Sequence, residues 1–537
     1  MATFRTGTMD TLERTMARMQ RQPLLWLTLI AAVPRLFAAI FSEGFYALDD
    51  HFLVIESAQS WVAGHDYNEW LPWNQTKGQG PTGHMLVYPG FHYLLFKACG
   101  AVGFTDPDGK MVLVRLLHAA WSLITVRMGY RIARRLGNER IAWGAGLFLA
   151  LYAYLPFLSV RNLVEMVSAP LLLSSGWWLL RSEGAEGDGS RRPLLLKPLI
   201  IAGLLAGLAI NIRFQTVFFT AGAGLALLLL KRVRGALVFG GCALLPLLVL
   251  QGGIDLAIWG RPFVEITEYV RFNLANPDNT GIVSPWYNYL LLFVGAFIPP
   301  FSLAVLFGFA RSTRPLVLWL PVLVFVGFHS VFPNKQERFM LSILPLLFVL
   351  GYVGWEHYRE RSTWWLRHNG LWKGILTFTW TVNLLLLVPL SVSSSKHERV
   401  EAMRVVRGMS DVHGLLLEDT EEGSPFMAPL YYRDVWDQSK DPYGDRSVDL
   451  RDFYSKHAPE HRPNVVLFIG REHLVERLAH IMRTMGPMDY VGYARPGLLD
   501  RTLHWLNPVN RNEEVYIFRT RGPWPEPGSG QVPVRTR

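Results

Sequence analysis

Two adjacent carboxylates, in the run Leu48-Asp49-Asp50-His51-Phe52, follow directly on the first apolar segment of the chain. Further along, Arg161, Glu165, Arg213, Arg271, Lys335 and Arg338 stand at or beyond the ends of other apolar segments. Charges at the edge of a membrane segment are costly and are usually functional. Acids and several cations on one membrane face suit one task. The cations would hold a lipid-linked phosphate, Arg through a bidentate fork and Lys as a point charge. A carboxylate would take the proton of a hydroxyl acceptor. Together they would transfer a group from a lipid phosphate to an alcohol. Were the group a sugar, one carboxylate acting as base without a covalent intermediate would give inversion. The phosphate leaves as a stable anion, so it needs no general acid of the kind used in glycoside hydrolysis.

Each residue also has a plainer reading. Asp49-Asp50 reads equally as the cap of an interfacial helix beginning at His51, since Asp is a favoured N-cap. Arg161 and Arg213, taken alone, read first as side chains snorkelling at helix ends. Lys335 and Arg338 read as topological anchors, but on the side that normally excludes Lys and Arg. His51, His84, His92 and His329 share no metal-ligand spacing and read as interfacial packing. Aromatics crowd the stretch 255–289, with Trp259, Tyr269, Phe272, Trp286, Tyr287 and Tyr289. They suit a membrane interface as well as they suit stacking on sugars or lining an acyl-chain groove.

The elements that must position these residues are apolar helices. A span needs about 20 mostly apolar residues, and about eleven segments come near that: 23–41, 111–133, 141–158, 166–180, 196–212, 218–230, 236–256, 287–310, 316–332, 339–355 and 371–392. The apolar stretch 85–104, broken at Pro89-Gly90, reads as re-entrant or interfacial. Counted as a further span, it would invert every later basic cluster. With eleven spans the N-terminal arginines, Arg131 to Arg135, Arg181 with Arg191-Arg192, Lys231 to Arg234, Arg311 to Arg314 and Arg359 to Arg361 all fall on one side. That side is cytoplasmic by the positive-inside rule. The opposite side, periplasm or lumen, receives the first loop, 42–110, a second large loop, 255–286, and the chain from 393 onward.

Residues 393–525 change to a polar composition. A strand-like run Val465–Ile469, a helix-like run from Glu472 to Met485 and a second strand-like run from Glu514 to Phe518 suggest a small extracytoplasmic α/β domain. Residues 526–537 read as a disordered tail, and 1–22 as a cytoplasmic N-terminus leading into a signal anchor. The expected fold is therefore an all-α polytopic membrane protein, residues 23–392, carrying a small α/β domain.

Half of the 537 residues are hydrophobic and 13% are aromatic, which fits a membrane protein. The net charge of +10 anchors loops at anionic lipid. Nucleic acid is not expected as a partner, because no basic stripe is interleaved with aromatics. Two cysteines, Cys99 and Cys242, lie in apolar contexts and give neither a disulfide framework nor a zinc site. The sequon Asn74-Gln75-Thr76 lies in the first loop and would be modified only in a eukaryotic host.

In order and in topological side, several short motifs resemble those of the Alg9-like mannosyltransferase family, the integral-membrane GT-C glycosyltransferases that use a polyprenyl- or dolichyl-phosphate sugar. They are the acidic pair Asp49-Asp50, the Tyr88-Pro89-Gly90 element, and the turn Arg161-Asn162-Leu163-Val164-Glu165. Gly207-Leu208-Ala209 before Arg213, and Asp255, Gly260, Pro262 and Phe272-Asn273 before Pro285-Trp286, continue the series. It closes on Asn334-Lys335-Gln336-Glu337-Arg338-Phe339 with Leu344-Pro345. The resemblance covers roughly residues 20 to 395. The chain departs from the family at Asn334 (His there), at Gln336 (Glu there), and in an Asp-Asp rather than Asp-Glu acidic pair.

What the resemblance implies is a GT-C fold and a hexosyltransferase, mannosyltransferase-like. Its donor is a lipid-linked sugar, its acceptor a glycolipid or glycan, and membrane lipids surround it. Asp49 is expected as general base, with Asp50 orienting it or the acceptor. Lys335 and Arg338, then Arg213 and Arg161, are expected to hold the donor phosphate. Trp259, Asn273, Trp286, Tyr289 and Glu165 are expected to line the donor or acceptor groove. No cofactor is required; a divalent metal could bridge the acid pair and the phosphate, but no residue indicates one. A bacterial inner membrane is expected, or the endoplasmic reticulum in a eukaryote. Two other readings stand beside it: a related GT-C transferase acting on lipopolysaccharide or protein with another lipid-linked sugar, and a transporter of lipid-linked intermediates. The transporter would show broken helices at matching positions in two related halves, and the sequence has no such halves.

Overall fold

A computed structural model describes residues 19, 21–75, 80–183, 194–278, 283–419, 426–436, 439–443, 450–455, 458, 461–506 and 512–525. Most of the expected cytoplasmic N-terminus, Thr76 of the sequon and the expected tail 526–537 lie outside them. The chain forms two compact units. The first contains Met1–Phe41, Glu69–Leu94 and Val112–Val392, and the second contains Ser42–Asn68, Leu95–Met111 and Ser393–Arg537. The first loop, 42–110, is thus shared: its early residues belong with the C-terminal region and its middle with the apolar helices.

In the first unit all eleven apolar segments are helical. Among the described residues, four helices are each long and apolar enough to cross a membrane: Pro23–Phe41, Pro107–Leu136, Val233–Trp259 and Asn369–Val392. Phe301–Arg311 and Leu316–Val331 qualify jointly, with a bend of 118° between them. Two segments read as continuous spans are broken. Segment 141–158 becomes Glu139–Leu151 and Tyr154–Ser159, and segment 287–310 becomes Asn288–Ala296 and Phe301–Arg311. In the second case Pro299 and Pro300 offer no N–H to the helical ladder. In the first, Tyr152 is extended and Asn383 stands in for the lost turn. The Asn383 carboxamide accepts from the Ala153 N–H and donates to the Leu151 carbonyl, both at 2.8 Å. Backbone polar groups freed inside a membrane protein need such partners.

The stretch 85–104 is a continuous helix, Val87–Ala101. Pro89 sits in its first turn, where no intrahelical N–H is required. Its 15 residues reach only about 22 Å, short of the roughly 30 Å hydrocarbon core. Segment 339–355 starts later than expected, at Leu344, because Glu337–Met340 winds into a 3₁₀ turn. Helix Leu196–Ile212 packs on Val233–Pro246 through Gly203 and Gly207, where any Cβ would run into the backbone at Phe239 and Ala243. This small-xxx-small spacing brings two membrane helices into backbone contact.

The second unit contains a five-stranded sheet of β1 Gly414–Glu418, β2 Ser439–Tyr443, β3 Val465–Ile469, β4 Met488–Ala494 and β5 Val515–Thr520. The order is β2-β1-β3-β5-β4. β1 runs parallel to β2 and β3, and β5 runs antiparallel to β3 and β4. All five residues of β3 are buried, as a continuous apolar run in a central strand should be. Helix Leu474–Met485 lays an apolar face on this sheet. It also sends in Arg477, which pairs with Glu418 and donates to the carbonyls of Ile469, at the end of β3, and Gly470, just past it. The sheet is joined to the first-loop residues. Ser395 bridges Glu43 and Phe45 through backbone hydrogen bonds, and Arg404 pairs with both Glu43 and Asp108.

One buried acid in this unit sets a pH dependence. Glu398, in helix His397–Arg407, is buried, and the Arg399 Nε lies 3.7 Å from its Oε1. Burial first, then Asp500, pushes its pKa up to about 7, against the pull of Arg399 and Lys396. The folded state therefore binds a proton that the unfolded state has released between pH 4.5 and about 7. Stability is full below that window, falls as pH rises through it, and is flat above. We expect Glu398→Gln to remove this slope, so that its thermal midpoint exceeds that of the parent at pH 8 and not at pH 4.5. Equal midpoints at both pH values would rule it out.

Candidate active site

In the first unit three helix ends converge. Glu165 lies in the first turn of helix Val164–Ser182, where the positive end of the helix dipole favours an acid. Arg213 ends helix Leu196–Ile212 in an extended conformation. Arg338 comes from the 3₁₀ turn Glu337–Met340. The Arg213 Nη1 lies 2.5 Å from the Glu165 Oε1, and the Arg338 Nε lies 3.9 Å from the same oxygen. Both guanidinium groups rest on the ring of Phe339, at 4.9 and 5.8 Å from its centroid. The Gln336 side chain accepts from the Arg338 Nε at 2.7 Å, and the Tyr289 hydroxyl donates to the Gln336 carbonyl at 3.3 Å. Next to Arg213, Gln215 donates to the Tyr269 hydroxyl.

Two guanidinium groups against one carboxylate leave about one positive charge in a place nearly closed to water. The Nε and Nη2 of Arg213 are buried without a hydrogen-bond partner. Buried donors of that kind are costly unless a ligand fills them. A phosphate oxygen has the charge and the acceptor geometry to do so.

The other expected cations are placed differently. Lys335 is buried, and its Nζ donates to the Phe332 carbonyl at 2.7 Å, closing the end of helix Leu316–Val331. Burial holds its pKa below the usual lysine range. Arg161 is buried with its guanidinium over Phe157, at 4.4 Å. Arg271 is exposed and pairs with Glu268 on its own helix. The Tyr88 hydroxyl meets the His118 Nε2 at 2.5 Å, and His92 contacts the Tyr88 carbonyl at 3.1 Å.

Of the expected groove residues, Tyr289 and Glu165 stand at the cation cluster. Trp286 is 69% exposed beside Tyr287, and the Asn273 amide donates back to the Tyr269 carbonyl on its own helix. Trp259 donates to Glu265, an acid the sequence reading passed over. The second oxygen of Glu265 accepts from three successive backbone N–H groups, those of Thr82, Gly83 and His84, at 3.1, 2.7 and 3.1 Å. Gly83 has φ of +80°, and a Cβ there would press on the Tyr269 backbone. Glu265 thus fastens the first loop to the helix that carries Tyr269. Glu265→Ala is expected to leave the Gly83 N–H buried and unpaired, at a cost of about 1–3 kcal/mol, with smaller losses at the half-buried Thr82 and His84. Glu265→Gln, which keeps one acceptor, should lose less. Thermal unfolding in detergent that ranks the two variants equal to the parent would refute the fastening.

The acid pair belongs to the second unit. The helix starts at Leu48 and runs on through a π turn, Phe52–Glu56, to Val62, so both aspartates lie inside its first turn instead of capping a helix that begins at His51. Asp50 is buried, and its Oδ2 accepts from the Tyr46 N–H at 3.1 Å. Asp49 is exposed. Beneath them His51 is buried against Phe45 and Tyr432 and meets Glu56 at 3.1 Å, while Glu56 accepts the Tyr431 N–H. The turn that displays Asp49 is therefore anchored to residues of the C-terminal region. Among the described residues, no group of three or more His, Cys, Asp or Glu side chains is arranged to hold a metal ion.

Comparison with known proteins bears on the whole chain. The sequence model of the Alg9-like mannosyltransferase family matches residues 26–424. None of the curated proteins matches. Among solved structures, ArnT from Cupriavidus metallidurans bound to undecaprenyl phosphate is similar at 12% identity, over 92% of this chain and 98% of that one, with a TM-score of 0.58. An oligosaccharyltransferase from Archaeoglobus fulgidus, in complex with Zn and sulfate, is similar at 10% identity over 85% and 69% of the two chains, with a TM-score of 0.51. At these identities the likeness is one of fold.

Proposed function

Since the chain belongs to the Alg9-like mannosyltransferase family, we propose that it moves a hexose, mannose first, from a polyprenyl- or dolichyl-phosphate carrier to a hydroxyl of a glycolipid or glycan on the extracytoplasmic face, with inversion. The observation that carries this reading is the buried Arg213, held by Glu165 beside Arg338, with donors still unfilled. These two arginines take the donor phosphate. Tyr289 and Phe339 wall that place, and Lys335, tied to its own backbone, shapes the loop that carries Arg338.

In the transfer the acceptor oxygen attacks the anomeric carbon as the carbon–oxygen bond to phosphate breaks. The acceptor proton goes to the Asp49 carboxylate, and the electron pair of the broken bond stays on the phosphate. The arginines stabilise the charge that grows on the leaving phosphate. Asp50, with one oxygen committed to the Tyr46 N–H, sets the turn that presents Asp49.

The direct test is transfer in proteoliposomes from radiolabelled polyprenyl-phosphate mannose, run beside other lipid-linked sugars. Label moving from the mannose carrier supports the reading. Transfer from another carrier alone would retire mannose and favour a related transferase acting on lipopolysaccharide or protein. The fold similarity to a protein solved with undecaprenyl phosphate supports the polyprenyl-phosphate carrier that both readings share.

A further inference from the structure

Helix Leu498–Leu506 in the second unit turns an apolar face outward. Leu498 is 68% exposed, Trp505 80% and Leu506 65%, and Arg501 and Thr502 are exposed beside them. Leu498, Arg501, Thr502 and Trp505 follow the i, i+3, i+4, i+7 spacing of a single helix face. That face carries a cation and no acid. The only acid of the helix, Asp500, is fully buried on the other side. Exposed tryptophan and leucine with arginine make up the composition of a helix that lies in a membrane interface.

Asp500 also fixes where this helix is. Its carboxylate accepts from the backbone N–H of Lys396 at 2.9 Å and of His397 at 3.2 Å. Gly497, just before the helix, packs against Ser394 and His397. The apolar helix Asn369–Val392 ends only four residues before Lys396. Four residues reach at most about 14 Å when fully extended. The start of Leu498–Leu506 is therefore tied to chain that has just left a membrane-spanning helix. The lipid headgroup layer, about 5–8 Å deep on each side of the hydrocarbon core, lies within that reach.

We propose that the outward face of Leu498–Leu506 lies on the lipid surface of the protein's own membrane. Leu498, Trp505 and Leu506 enter the interface and Arg501 meets anionic headgroups. The C-terminal unit then has a second foothold on the bilayer besides its covalent link at Val392. This inference does not depend on the donor or acceptor assignment.

Nitroxide depth measurement tests it on the full chain. Cys99 and Cys242 are first replaced by Ala. Single cysteines at Trp505 and at Thr502 are then labelled in nanodiscs of phosphatidylcholine with phosphatidylglycerol. Val475, 81% exposed on helix Leu474–Met485, is the water-facing control. Labels at 505 and 502 should collide with dissolved oxygen several-fold more, relative to a polar nickel reagent, than the label at 475. Removing phosphatidylglycerol should reduce that ratio. Sites 505 and 502 reading like 475 would overturn the proposal. So would loss of both oxygen and nickel collisions, which would mean that protein covers the face. If Trp505→Cys fails to fold, the Thr502 label alone decides.

Discussion

Asp49→Asn is expected to abolish transfer, lowering kcat by about 10²–10⁴-fold, the usual contribution of a general base. The amide matches the carboxylate in size but cannot accept the acceptor's proton. Asp49 is exposed, so folding and membrane insertion should be unchanged, and thermal unfolding measured beside the assay keeps the two effects apart. Asp50→Asn makes the contrast. Asp50 is buried and its Oδ2 takes the Tyr46 N–H. An asparagine oxygen can still accept that bond, so this variant should lose less activity and some stability. Near-normal turnover in Asp49→Asn would remove Asp49 from the role of base and pass it to Asp50.

The second large effect is expected at Arg213. Truncation to Ala leaves Glu165 buried with Arg338 no nearer than 3.9 Å, and breaking a buried ion pair from one side costs about 3–5 kcal/mol. Arg213→Ala should therefore lose both activity and stability, which makes Arg213→Lys the cleaner probe. Lysine keeps the charge near Glu165 but gives up the planar fork. A charge-assisted hydrogen bond lost from the phosphate is worth about 1.5–3 kcal/mol, roughly a 10- to 150-fold weaker donor. The expected pattern is a donor KM raised by that factor with the acceptor KM unmoved. An unchanged donor KM, or a rise in acceptor KM instead, would place the phosphate elsewhere.

Much of this was legible in the sequence because membranes make hydropathy and misplaced charge informative. All eleven apolar segments are helical, and Glu165, Arg213 and Arg338 drew attention by standing where charges are costly. Their mutual pairing was not legible, since 48 residues separate Glu165 from Arg213 and only the fold sets the distance. Lys335 carried the same signal as Arg338, yet its ammonium closes a helix end. Glu265 was hidden because an acid near the start of a helix is ordinary, and nothing local reveals three N–H donors from residues 82–84. The first loop looked like part of the membrane domain because it lies between two apolar segments. Its early residues join the C-terminal sheet through Ser395 and Arg404, contacts that span more than half the chain. In the tail, β3 and β5 announced themselves as apolar runs. β4 has mostly exposed or half-buried residues, and its sequence Met488–Ala494 alternates too weakly to be read as a strand.

The amide of Asn383 has a consequence for the order of biosynthesis. It closes the break at Leu151–Ala153 across 230 residues of chain, from a helix, Asn369–Val392, that leaves the ribosome long after that break. Until that helix arrives, the early segment has an unmatched carbonyl and N–H, which lipid cannot satisfy. The nascent protein must keep this segment as an unbroken helix, or keep it wet, through the synthesis of the seven apolar segments that lie between. Insertion of Asn369–Val392 thus completes an earlier helix pair as well as itself, and a chain truncated before Asn383 would keep an unfinished helix break.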